Sequence, residues 1–342
     1  MNTSKLMGGM FGFDISMNGT KPPFMNRKCS FYLNARSAIL AVINCLRPKM
    51  VWMPSYLCLS MLDSPKIANT PVKFFPVNKY LQIEENGWIS DIMEGDVTIV
   101  IDYFGFKMPE WVYKEIKERG AWIIEDACQA LLSLHVGKYS DFIVYSPRKF
   151  VGVPDAGILW CNNESLVSIE KIKPPSSWWF KAFAACLLRR EFDNSQSDGD
   201  QIWFRLFKEM EFEMPVGNYE ASSLSITLLE LATDWESISR KRRENYMILL
   251  KELRDFAIYR DLPDDVVPLG FPISVNNRNK LQQKMFNANI YPAIHWHLTD
   301  IVPEQFLESH KLSQNIMTLM CDQRYDKKDI ERIINIVKEE FD

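Results

Sequence analysis

The sequence contains no C-x-x-C pair. Its seven cysteines (Cys29, Cys45, Cys58, Cys128, Cys161, Cys186 and Cys321) lie far apart and are odd in number, which excludes a zinc ribbon and a disulfide framework. No stretch reaches about 18 uncharged apolar residues, and MNTSKLMGGMFGFDIS is broken by glycines and an aspartate instead of forming an apolar core. A cytoplasmic protein with reduced thiols and no membrane contact is therefore expected. Positive charge is not in excess either: 40 Lys and Arg stand against 44 Asp and Glu, a formal net of −4. No bulk field exists to hold a nucleic-acid backbone. Motifs of the common catalytic classes are missing too. There is no G-x-x-x-x-G-K-[ST], G-x-S-x-G or H-E-x-x-H, and Gly8-Gly9-Met10-Phe11-Gly12 neither follows a strand nor has dinucleotide spacing.

What remains is an ordinary folding composition, 47% hydrophobic with 13% aromatics, over 342 residues. That length suits one large α/β domain with a smaller appendage. Short apolar runs alternate with helix-like segments through the first two-thirds, the rhythm of a mainly parallel sheet with crossover helices. Expected strands are Met50 to Met53, Val72 to Pro76, Val97 to Ile101, Trp122 to Glu125, Asp141 to Ser146 and Ala156 to Trp160. Expected helices are Ala35 to Leu46, Leu57 to Ile67 and Glu110 to Arg119, the last closed by Gly120. The pattern breaks over residues 171–215, an aromatic helical excursion with a polar turn around Asn194 to Asp200. A helix from Ser222 to about Leu253 follows, then a short strand at Val267 to Pro272 and helices at Arg278 to Asn287 and Lys327 to Phe341. We divide the chain into a large domain at 1–215 and, at 216–342, a long helix with a small C-terminal α+β subdomain.

Several strands deliver polar groups at their carboxyl ends, where open α/β sheets bind ligands. One apolar strand ends in Glu125-Asp126, with Gln129 three residues on, where a helical turn places it beside Asp126. About twenty residues later, a spacing at which a crossover returns to the same sheet edge, a second strand ends in Tyr145-Ser146-Pro147-Arg148-Lys149. A carboxylate and a lysine converging there can hold pyridoxal 5′-phosphate: the lysine forms the Schiff base, and the aspartate keeps the pyridine nitrogen protonated. His295 and His297 flank Trp296, but no cysteine or carboxylate nearby completes a ligand set, so they are read as a loop or active-site rim and no metal is assigned.

These residues resemble the DegT/DnrJ/StrS sugar aminotransferases, fold-type I enzymes dependent on pyridoxal phosphate. Glu125-Asp126-Ala127-Cys128-Gln129-Ala130 is similar to the family's E-D-A-A-Q-A. Ser146-Pro147-Arg148-Lys149 with Asp155-Ala156-Gly157 is similar to its Y-P-T-K and G-D-A-G. Asn34-Ala35-Arg36-Ser37-Ala38, Pro54-Ser55-Tyr56, Asp102-Tyr103-Phe104-Gly105, Gly217-Asn218-Tyr219 and Cys321-Asp322-Gln323-Arg324-Tyr325 follow in the family's order. The resemblance implies a fold-type I architecture and transfer of an amino group from glutamate to a nucleotide-linked keto sugar. It further implies that Lys149 forms the internal aldimine, Asp126 pairs with the pyridine nitrogen, Gln129 lies by the ring hydroxyl and Ser37 binds the phosphate. For Ser37, a helix N-terminus independently favours an anion. Asn218 lies in the segment that reaches a neighbouring subunit's cofactor, which implies a homodimer.

Four positions depart from the family pattern. Val144 replaces a phosphate-binding serine, with Ser146 the candidate substitute. Arg36 stands where glycine is common and brings a guanidinium to the phosphate helix. Cys58 occupies the ring-stacking position, leaving Tyr56 as its candidate replacement, and Glu220 replaces the arginine of N-Y-R. Two alternatives are a lyase or dehydratase of the same fold, against which Lys149 argues because that branch loses the lysine, and a non-catalytic binder of a sugar nucleotide.

Overall fold

The structure, a computed structural model, describes residues 5–25, 29–162, 170–195, 201–298 and 301–341. A two-residue strand, β1 (Met7–Gly8), precedes the main sheet. That sheet is built from β2 (Cys29–Tyr32), β3 (Val51–Pro54), β4 (Val72–Phe75), β5 (Val97–Ile101), β6 (Trp122–Asp126), β7 (Phe142–Tyr145) and β8 (Gly157–Cys161). Their spatial order is β2-β8-β7-β6-β5-β3-β4, with β8 antiparallel to both its neighbours and the other pairs parallel. The apolar runs VTIVI and FIVY are buried along their whole length, as strands covered on both faces must be. This is the expected mainly parallel α/β sheet.

Three helices connect these strands: α1 (Ala35–Leu46), α2 (Asp63–Ile67) and α3 (Glu110–Glu118). Helix α1 spans the expected residues. It starts at Asn34, whose side-chain oxygen accepts the Ser37 N–H at 2.9 Å, and Ser37 to Ile43 are buried. Its first turn is pressed against β8: a Cβ on Gly157 would lie 2.1 Å from the Asn34 carbonyl carbon. Gly120 closes α3 with φ +73°, its N–H donating to Lys117 O at 2.9 Å. The segment read as one helix from Leu57 begins instead as a 3-10 turn at Leu59–Leu62 before α2.

The excursion forms a helical hairpin, α4 (Ser176–Ser195) and α5 (Ile202–Phe212). Beyond Ser195, the expected polar turn lies outside the described residues. The hairpin has its own small core of Trp178, Ala182, Ala185, Met210 and Met214 against Leu33. Trp178 Nε1 donates to Met210 O at 2.9 Å and locks the two helices together.

The helix expected over Ser222 to Leu253 is in fact two, α6 (Ser223–Leu231) and α7 (Trp235–Leu253). Thr233 Oγ1 folds back onto Leu228 O at 2.8 Å and Asp234 caps α7 by accepting the Ser237 N–H at 2.9 Å. The C-terminal part adds β9 (Phe271–Ser274), α8 (Arg278–Asn287), β10 (Ile290–Tyr291), α9 (Leu307–Asn315), β11 (Ile316–Leu319) and α10 (Lys327–Phe341). Strand β9 starts four residues later than expected, where it pairs antiparallel with β11. Strand β1 pairs in parallel with β10, and the Gly8 N–H donates to the Tyr325 hydroxyl at 2.7 Å. Among the described residues no helix is long and apolar enough to cross a membrane.

The Gly157 contact predicts a steep local penalty. Gly157→Ala should lower stability by about 2 kcal/mol or more in urea unfolding, because the new methyl meets backbone rather than a mobile side chain. Gly87→Ala, where no atom lies within 4 Å of the new carbon, should change it by less than about 0.5 kcal/mol.

Candidate active site at the carboxyl edge of the sheet

Strands β6 and β7 are parallel neighbours in the register Asp126 to Val144, so their carboxyl ends open on the same edge. Asp126 is buried there and its Oδ1 accepts the Cys128 N–H at 2.9 Å. Past β7, Ser146 precedes a 3-10 turn, Pro147–Lys149, closed by Lys149 N–H donating to Ser146 O at 3.1 Å. Proline at the first position of that turn has no N–H to satisfy, which suits so tight a reversal. Cys128 marks the meeting of the two strand ends. Burial, with the Asp126 carboxylate adding, pushes its thiol well up, and the Lys149 ammonium opposes that shift.

After β6 the chain makes successive turns rather than the expected helical one. Gln129 is nevertheless buried in this neighbourhood: its Oε1 accepts the Phe104 N–H at 2.7 Å and its Nε2 has no partner. Ser37, on α1, is fully buried and its Oγ accepts the Gly217 N–H at 3.2 Å. Asn34 Nδ2 donates to Pro215 O at 2.8 Å, so the segment holding Asn218 abuts the first turn of this chain's own α1. Asn218 Oδ1 is buried without a partner. Val144 is wholly buried in the core, an apolar wall where the family pattern has a hydroxyl.

Two of the singled-out side chains are engaged elsewhere. Arg36 Nη1 pairs with Asp63 Oδ2 of α2 at 2.6 Å, which ties its guanidinium to a neighbouring helix. Tyr56 is fully buried, its hydroxyl donating to His295 O and accepting the Trp296 N–H at 2.7 Å. Its ring clusters with those of Tyr103 and Trp296, which also meet each other.

His295 is the residue that sequence reasoning left on the rim. Its Nδ1 is 2.8 Å from Thr318 Oγ1 and its ring meets Phe104 edge-on. Burial and then the nearby Lys149 ammonium lower its pKa to about 3, which keeps the imidazole neutral. His297 is exposed, so the pair does not share one face. Among the described residues no group of His, Cys, Asp and Glu is arranged to hold a metal ion.

Behind the sheet edge lies a second polar cluster. Asp102 is fully buried at the end of β5, its N–H donating to Asp126 O at 3.2 Å. Its Oδ2 is 3.5 Å from His135 Nε2. Glu125 faces the same side, opposite to Asp126, and accepts the Gly137 N–H at 3.0 Å and the Ser140 hydroxyl. Burial, with the Asp126 charge adding, pushes the Asp102 carboxyl up to about 7.

The sequence model of the DegT/DnrJ/EryC1/StrS aminotransferase family matches residues 98–338. The fold is similar to that of Helicobacter pylori PseC, an aminotransferase involved in the biosynthesis of pseudoaminic acid. That match has a TM-score of 0.69 at 13% identity and covers 98% of this chain and 99% of that one. It is also similar to NtdA from Bacillus subtilis with bound cofactor PMP, at a TM-score of 0.68, 15% identity and 92% and 74% coverage. A Brucella abortus DegT DnrJ EryC1 StrS aminotransferase gives 0.64 at 16% identity, over 92% and 86%. No curated protein sequence matches the chain.

Asp102 yields a pH prediction. Its folded pKa of about 7 lies above the ordinary 3.8, so the folded state holds a proton that the unfolded state lacks between those values. Stability therefore falls as pH rises through that window and stays reduced above it. Asp102→Asn removes this titration. Relative to wild type, the variant should gain about 1–3 kcal/mol on going from about pH 5 to about pH 8, measured by urea unfolding at both. An equal difference at both pH values would mean that Asp102 titrates normally.

Proposed function

The chain belongs to the DegT/DnrJ/EryC1/StrS aminotransferase family, and from that membership we propose that it transfers the amino group of glutamate to a keto sugar carried on a nucleotide. Its reaction class, pyridoxal-phosphate-dependent sugar amination, is that of the family. The observation that carries the reading is the convergence of Asp126 and Lys149 on one sheet edge beside the amino end of α1.

The groups present fit the cofactor. Gln129 Nε2 is a buried polar atom in want of a partner, and the edge is rich in cations. The amino end of α1 offers backbone N–H groups to a phosphate, with the Ser37 and Ser146 hydroxyls as further donors and Arg36 contributing charge. Pyridoxal phosphate, when bound, supplies an aldehyde that condenses with amines and a ring that accepts electrons. Lys149 is the amine that anchors it and moves the proton at the substrate carbon through Nζ. Asp126 holds the proton on the ring nitrogen, and Gln129 orients the ring hydroxyl. The half-buried, neutral His295 closes the pocket on the Lys149 side without adding charge. Supporting a cytoplasmic location are the buried thiols of Cys128, Cys186 and Cys321, which suit a reducing compartment.

Purified protein loaded with pyridoxal phosphate should carry a visible band that glutamate bleaches. Lys149→Ala should lose both the band and turnover, and Asp126→Asn should keep the cofactor but react at least about tenfold more slowly. A Lys149→Ala protein that stays coloured and active overturns the assignment. A mass-resolved screen of keto-sugar nucleotides with glutamate then names the acceptor.

We also propose a homodimer in which Asn218 serves the partner's cofactor. Besides the family resemblance, the hairpin supports it by exposing Phe180, Phe204 and Phe212, the last 93% accessible. Light scattering should give twice the chain mass, and Asn218→Ala should weaken cofactor retention several-fold. An active monomer rejects this arrangement.

A further inference from the structure

The turn that carries Lys149 is tied to a helix far away in sequence. Arg148, its immediate neighbour, reaches α5 and meets the Glu211 carboxylate with both terminal nitrogens, Nη1 on Oε1 and Nη2 on Oε2 at 3.1 Å. A two-point contact between planar groups fixes orientation as well as charge. The same carboxylate stands within electrostatic reach of Arg36 on α1 and of Lys149 itself. Burial alone would raise its pKa. The Arg148 guanidinium, by charge and by hydrogen bonding, outweighs burial and holds the Glu211 carboxyl below its ordinary range, with Arg36 and Lys149 adding.

The ionisable groups around this cluster come from every element packed on it: Arg36, Cys128, Arg148, Cys186 of α4, Glu211 and His295. Burial pushes the two thiols up, Cys186 to about 12, and pushes the imidazole down, so these three stay neutral at ordinary pH. Among the six, the negative charge is that of Glu211. The further carboxylates are Asp63, which holds Arg36, Asp126, assigned to the ring nitrogen, and Asp155, which acts on Cys186 and whose own carboxyl burial pushes up.

We propose that Glu211 is a positioning residue for Lys149: reaching from the hairpin, it fixes the turn through Arg148 and supplies the anion that offsets the cations around the lysine. The proposal rests on the assignment of Lys149 as the cofactor lysine. A purely mechanical tie between hairpin and turn predicts changes in stability alone. A charge that acts on Lys149 predicts a change in the pH at which the bound cofactor's visible band titrates, with a sign set by Coulomb's law.

The experiment is a spectral pH titration of the cofactor-loaded protein from about pH 5 to about pH 9, for wild type and four variants. Glu211→Gln removes a negative charge and should move the midpoint to lower pH by about one unit. Glu211→Asp keeps the charge and should stay within a few tenths of a unit of wild type. Arg148→Met should move the midpoint to higher pH, and the double variant Arg148→Met/Glu211→Met should return it towards wild type. If Glu211→Gln does not fold or does not hold the cofactor, the double variant against Arg148→Met decides: the two differ in the Glu211 charge alone, and the double variant should titrate at lower pH. A Glu211→Gln midpoint that is unchanged or shifted upward in a folded, loaded protein overturns the proposal, as does an unchanged or lowered midpoint in Arg148→Met. Failure of the underlying assignment looks different: Lys149→Ala would then retain the same titrating band.

Discussion

The site depends on the register in which β6 and β7 run side by side. Two acids end β6, and successive residues on a strand face opposite sides of the sheet. With Asp126 level with Val144, Asp126 faces the pocket edge and Glu125 faces the packed side, where the Gly137 amide and Ser140 hydroxyl receive it. A slip by one residue would exchange them. The carboxylate backed by Asp102 and His135 would then face the pocket, and Asp126 would be buried without those donors. The apolar residues Ile123, Ile124, Phe142 and Val144, all fully buried, are what make that slip costly.

The helical hairpin adds a second constraint. Its apolar core rests on Leu33, one residue before the cap of α1, and its Glu211 reaches the turn after β7. One hairpin thus touches both the amino end of α1 and the turn that carries Lys149. Asp155 strengthens the same corner, accepting the Trp179 Nε1–H at 3.1 Å from α4 and the Ser222 hydroxyl at 2.9 Å from the cap of α6. Polar ties of this kind fix orientation where apolar packing alone would leave sliding freedom.

Elements with their own local code were legible in the sequence. Helix α1 has a capping asparagine and an unbroken apolar face, β5 is a pure apolar run, and α8 and α10 begin and end where their periodicity does. The break at Ala232 to Asp234 is written as Thr-Asp, a capping signal that prevails over the helical pattern on either side. Strands β10 and β11 and helix α9 escaped notice because they are short and owe their form to partners distant in sequence. At the site, the placement of Asp126, Gln129 and Lys149 after strands could be read from motif order. Glu211 could not, since it is one acid on a helix whose packing only the folded hairpin sets. Nor could the tethering of Tyr56 to the His295 and Trp296 backbone, which joins positions 240 apart.

Strand β1 carries a consequence for biosynthesis. Met7 and Gly8 bond to Ile290 and Tyr291, and the Gly8 amide meets the hydroxyl of Tyr325, 317 positions further along. At ordinary elongation rates the ribosome needs roughly 15–60 s to cover that distance. For most of that interval, until β10 is made, the strand has no mate, while the seven-stranded sheet, whose residues end at Cys161, is already available to fold. The docking of β1 is therefore a late event in the life of the nascent chain, made only after the sheet that follows it in sequence has been synthesised.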